Sequence, residues 1–128
     1  MTHELHIILV DDHDTTRLLV GAVLQRQFPG ARVTACGNGQ QALEAYRRLG
    51  ADLIVSDCQM ALMSGTELTT ALRREGAAVP LILASGDHTL RAACEQAGAD
   101  RFVAKDEPEQ LVAAVRDLLY LHAREVGG

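Results

Sequence analysis

Asp52-Leu53-Ile54-Val55-Ser56-Asp57-Cys58-Gln59-Met60 decides the fold. Leu53, Ile54, Val55 and the small Ser56 suit a strand buried on both faces, and a carboxylate, Asp57, stands where that strand should end. A continuous apolar run without polar alternation marks a parallel sheet covered by helices on both sides. In such sheets the working groups lie just past the carboxyl ends of the strands. Three other apolar runs end in the same way. Ile7-Ile8-Leu9-Val10 runs into Asp11-Asp12, Leu81-Ile82-Leu83-Ala84 into Ser85, and Phe102-Val103-Ala104 into Lys105, the only lysine of the chain. Three acids, a hydroxyl and one ammonium are therefore predicted along one edge of one sheet.

The segments between these runs have helical spacing. His13-Asp14-Thr15 starts a helix, with Asp a good N-cap, and Thr16, Leu19, Val20, Val23 and Leu24 form its apolar stripe up to Pro29-Gly30. Ala31 to Cys36 is a second strand, more polar and so nearer an edge. Ala42, Leu43, Tyr46 and Leu49 mark a second helix closed by Gly50. Ser64 and Glu67 are spaced as a capping box ahead of Leu68, Ala71 and Leu72. A fourth strand spans Val79 to Ala84, with Pro80 tolerated at its beginning. Leu90, Ala93, Cys94 and Ala97 give a fourth helix, closed by Gly98. Pro108 opens a last helix buried through Leu111, Val112, Val115, Leu118 and Leu119, and Arg124 to Gly128 is predicted as a frayed tail. Regular alternation with right-handed crossovers gives an α/β, flavodoxin-like, doubly wound (βα)5 fold. Its five-stranded parallel sheet has the order 2-1-3-4-5, which brings Asp11, Asp12 and Asp57 into one crevice.

Residues 1–128 make one domain by length, with a core from about 5 to 122. Hydrophobic residues are 48% and aromatics 3%, so the core is aliphatic. A net charge of −5 argues against direct nucleic-acid binding, which needs basic patches. No run reaches transmembrane length, and the start lacks the basic and apolar regions of a signal peptide. Cys36, Cys58 and Cys94 form no CxxC, as expected of reduced thiols in a cytoplasmic protein.

Three carboxylates in one crevice repel unless a cation intervenes. Mg²⁺ suits them, because it takes oxygen ligands from one or two carboxylates plus phosphate. A carboxylate oxygen beside such an ion can attack phosphorus, and Lys105 and Ser85 can supply charge and a donor to the transferred group.

Five motifs in this order resemble the response-regulator receiver domain of bacterial two-component signalling. They are Leu9-Val10-Asp11-Asp12-His13, Asp52 to Asp57, Met60 to Gly65, Pro80 to Gly86, and Gly98 to Lys105. The resemblance implies that Asp57 accepts a phosphoryl group from a phosphohistidine on a histidine kinase or phosphotransfer protein. It implies that Asp11, Asp12, Asp57 and the carbonyl of Gln59 hold Mg²⁺. It makes Ser85 the switch hydroxyl and Phe102 the aromatic that follows it. Output would pass to a protein partner through the fourth helix, fifth strand and fifth helix, with a phosphorylation-dependent homodimer as one form. By the same resemblance Gln59 and Asp87 flank the path of the hydrolytic water. Two positions depart from the family. Ala61 stands where proline is usual after Met60, and Asp106 replaces the cis-linked proline after Lys105.

Each residue also has a plainer reading. Asp11-Asp12 could cap a helix, Ser85-Gly86 could be a turn, Lys105 a surface charge, and Phe102 and Cys58 packing groups. His3, His6, His13 and His88 read as helix-start or surface residues. Two alternative functions follow. One is a pseudo-receiver that binds partners without phosphorylation. The other is a haloacid-dehalogenase-type phosphatase, with Asp12 as nucleophile and Asp14 as acid/base.

Overall fold

The strands are β1 (His6–Val10), β2 (Arg32–Cys36), β3 (Leu53–Asp57), β4 (Leu81–Ser85) and β5 (Arg101–Ala104). All pair in parallel, in the order β2-β1-β3-β4-β5, as expected. The computed structural model from which this is read describes residues 4–127, with side-chain surroundings through residue 121. Every residue of β1, β3 and β4 is buried, whereas β2 is an edge strand with one exposed flank.

The helices are α1 (Asp14–Gln27), α2 (Gly39–Leu49), α3 (Gly65–Arg74), α4 (Arg91–Ala97) and α5 (Pro108–Gly127), and a 3-10 turn, His88–Leu90, leads into α4. Alternate strand residues point to opposite faces and so build two cores. Ile8, Val10, Ile54 and Leu83 pack with Leu68, Leu72 and Cys94 under α2, α3 and α4. Ile7, Leu9, Val55 and Ile82 pack with Leu24, Leu111 and Val115 under α1 and α5.

Register sets the height of each chemical group. Val10 lies beside Ser56, Asp57 beside Ala84, and Ser85 beside Ala104. Asp11, Asp57, Ser85 and Lys105 therefore leave the sheet within about one residue of a common level.

The capping box forms as spaced. Ser64 Oγ accepts from the Glu67 amide at 3.1 Å, and Glu67 Oε1 accepts from the Ser64 amide at 3.0 Å. Six expectations need correction. Leu19 is 64% exposed, because it lies about 140° around α1 from the buried Leu24 at 3.6 residues per turn. In α2, Leu49 at the last turn is likewise exposed. The α1 N-cap is His13, without a side-chain bond, and Asp14 is the first helical residue. β4 begins at Leu81 rather than Val79, since Pro80 has no N–H to pair, although its carbonyl accepts from the Ile54 amide at 2.9 Å. The last helix runs on through Gly127, where Ala123, Arg124 and Glu125 favour helix and no breaker precedes Gly127. Gly128 and His3 lie outside the described residues. His6 is not a surface residue: it is buried in β1, with Nε2 2.7 Å from Thr34 Oγ1.

Candidate functional site

At the carboxyl edge of the sheet, β1 delivers Asp11 and Asp12, β3 delivers Asp57, β4 delivers Ser85 and β5 delivers Lys105. Asp11, Asp57 and Ser85 are buried. Lys105 Nζ bridges two acids, donating to Asp57 Oδ2 at 2.8 Å and standing 3.2 Å from Asp11 Oδ2. Burial of its stem works to lower the Lys105 pKa. The hydrogen bond and charge of Asp57, with Asp11 behind them, outweigh this, and the net shift is upward.

Three further carboxylate oxygens face backbone amides. Asp11 Oδ1 accepts from the His13 amide at 2.9 Å, and Asp57 Oδ1 faces the Gln59 amide at 3.4 Å. Asp12 Oδ2 accepts from the Ala61 amide at 3.0 Å. A proline at 61 would lack that N–H, so the first departure from the family pattern gives Asp12 a partner. Asp12 Oδ1 is buried without a hydrogen bond, 3.2 Å from His13 Nδ1.

Asp11, Asp12, His13 and Asp57 each offer a ligand atom, all within 4.8 Å of one another. Three carboxylates with one orphaned oxygen form a hard, anionic donor set, which fits a divalent ion of the magnesium type. His13, expected as a helix-start or surface residue, is 70% exposed and also leans on both acids, its Nδ1 3.5 Å from Asp11 Oδ1 and 3.2 Å from Asp12 Oδ1.

The second departure leaves the pocket intact. The described residues contain no cis peptide bond, so Lys105-Asp106 is trans. The Lys105 amide donates to the Ser85 carbonyl at 3.0 Å, extending the β4–β5 ladder by one rung. That rung aims the lysine without a proline. Asp106 itself is exposed.

Ser85 Oγ accepts from the Asp87 amide at 3.0 Å. Phe102 is buried, with the Arg91 guanidinium 4.8 Å above its ring. Arg91 went unnoticed in the sequence, where nothing pairs it with Phe102. Gly65 stands in the Met60–Gly65 motif, but the sequence carries no sign of its contact with β3. A Cβ there would meet the Asp57 carbonyl, Leu83 Cδ2 and Cys58 Cα at or inside 3.0 Å. The start of α3 can approach the end of β3 only because residue 65 has no side chain. Asp14, the acid/base of the phosphatase reading, is 86% exposed and paired with Arg17, away from the acid cluster.

The family described as "Response regulator receiver domain" matches residues 7–116. The nitrate/nitrite response regulator protein NarP of Escherichia coli is 38% identical over 117 residues, covering 86% of this chain and 53% of that protein. Chemotaxis protein CheY of Halobacterium salinarum is 28% identical, over 88% of this chain and 95% of its own length. The chain spans about half the length of the first curated relatives it matches, NarP and the mycobacterial TcrX. Among solved structures, a LuxR-family two-component response regulator from Aurantimonas superposes with a TM-score of 0.84 at 27% identity, covering 92% of this chain and 86% of the other.

Proposed function

The chain belongs to the response-regulator receiver family, and from that premise we propose that residues 1–128 act as one receiver domain that takes a phosphoryl group onto Asp57. The observation that carries this reading is the Lys105 ammonium set between Asp57 and Asp11 at 2.8 and 3.2 Å. It holds charge in reserve for oxygens that have yet to arrive.

The donor is a phosphohistidine on a histidine kinase or phosphotransfer protein. Asp57 attacks phosphorus in line with the departing imidazole nitrogen. The O–P bond forms as the P–N bond breaks, and the electron pair leaves on the ring. Asp11, Asp12, Asp57 and the Gln59 carbonyl would hold Mg²⁺, which when bound neutralises charge on the phosphoryl oxygens. Lys105 transfers its hydrogen bond from Asp57 to one of those oxygens. Ser85 gives up the Asp87 amide to donate to another, and the β4–α4 loop follows. Phe102 and the surface of α4, β5 and α5 then present the result to a protein partner in the cytoplasm, or to a second copy of the chain. The domain processes no other substrate; it catalyses only its own phosphorylation and dephosphorylation.

The test is incubation with acetyl phosphate and Mg²⁺, followed by intact mass. Wild type should gain one phosphoryl group and Asp57→Asn none. Asp12→Ala should gain it far more slowly. Equal rates for Asp12→Ala and wild type would reduce the acid pair to a helix cap. No gain by wild type would hand the chain to the pseudo-receiver reading.

A further inference from the structure

Cys58 follows the proposed phosphoacceptor directly, and its sulfur lies 3.0 Å from that of Cys94, with both thiols buried and free. Cys94 is the one buried residue of α4, a helix of seven residues. The short helix thus meets the core through one buried side chain, and that side chain is a thiol facing Cys58. A disulfide needs S–S of about 2.05 Å, so the two atoms have about 1 Å to close. We propose that Cys58 and Cys94 are a redox modification site, oxidised to an intramolecular disulfide that pins α4 to the end of β3. This goes beyond the phosphorylation reading and does not depend on it.

The plainer account is packing, since both residues belong to one apolar core with Leu68, Leu83 and Phe102. Packing explains small apolar residues at the two positions. It does not call for two sulfurs aimed at each other. A hollow lined by Cys58, Gln59, Met60, Ala61, Leu90 and Ala93 leads to one of the two thiols, and local opening of the seven-residue α4 exposes the other.

The oxidant is a hydroperoxide. The Cys58 thiolate, on the side of the hollow, attacks a peroxide oxygen; S–O forms, O–O breaks, and the remaining oxygen leaves as water or alcohol after taking a proton. Cys94 then attacks that sulfur; S–S forms, S–O breaks, and water leaves with the thiol proton. Two thiols lose two electrons and the peroxide gains them. Cys36, on β2 and two strands from β3, is about 10 Å away by sheet spacing and serves as the control.

The full chain is treated with hydrogen peroxide without phosphodonor, then alkylated and mapped by mass. Wild type and Cys36→Ala should each lose two hydrogens, reversibly with dithiothreitol, in a Cys58–Cys94 cross-linked peptide. Cys58→Ala and Cys94→Ala should form no link. Amide exchange across residues 91–97 should slow by about tenfold or more in the oxidised chain. A link through Cys36, a link between two chains, or sulfinic acid without a link would each overturn the proposal. So would inert thiols in the folded chain at peroxide levels that oxidise them in urea. Each result leaves phosphate uptake on Asp57 to be judged separately.

Discussion

Lys105 is the single side chain on which the charge balance of the site rests. It offsets two buried carboxylates and is itself only 28% exposed. Replacing it with Met leaves those acids facing one another, and should cost about 1–3 kcal/mol, less than for a fully buried pair because one face is wet. Chemical denaturation of both proteins measures this. The pH dependence has a definite sign. Because the folded-state pKa of Lys105 is raised, its contribution is fully present below the ordinary lysine value of about 10.4. The gap between wild type and Lys105→Met should therefore hold from pH 7 to about pH 10 and close only as pH climbs through the higher folded value. A gap already closing near neutrality would mean that the lysine carries no such raised pKa. Ser85 is a different kind of residue. Ser85→Ala should still take phosphate, while the phosphate-dependent gain in partner affinity falls. An unchanged gain would route the coupling elsewhere.

At the scale of elements, α3 is placed by its first two residues. Ser64→Ala removes the Oγ that accepts from Glu67, and should cost about 1 kcal/mol in a urea titration. The partner half of the box responds to acid: hydrogen bonds from Ser64 hold the Glu67 carboxyl below its usual range. Its benefit is present above the ordinary glutamate pKa and disappears as pH falls through the lower folded one. Gly65→Ala should be worse, costing about 2 kcal/mol or more, because its methyl must displace backbone at the end of β3. That variant should also lose phosphate uptake at Asp57, which Ser64→Ala should keep. Much of this was legible in the sequence. Strand ends, the capping box, the sheet order and the meeting of Asp11, Asp12 and Asp57 all follow from short-range patterns of burial and spacing. What escaped is what depends on approach between distant segments: Gly65 against β3, Arg91 over Phe102, and the Ala61 amide on Asp12. The exposed Leu19 escaped because a stripe of apolar residues shows a helix to be amphipathic without giving the width of its contact.

For the molecule as a whole, an ion held by the acid cluster stabilises the folded chain by mass action. Mg²⁺ at about a hundred times its dissociation constant should add about 2.7 kcal/mol to unfolding, and Asp12→Ala should lose most of that increment. Thermal or urea unfolding across a Mg²⁺ series reads it directly; equal increments in both proteins would place the ion elsewhere. The bond between Lys105 and Asp57 joins residues 48 apart, while β1 and β3 already stand side by side without β5. On the ribosome the chain emerges from its N-terminus. Asp11 and Asp57 therefore both leave the ribosome before the only lysine does. A sheet of β1 and β3 alone would gather negative charge at one corner without its counter-charge. The last strand thus brings the counter-charge as well as a fifth rung, and the site is complete only when the sheet is.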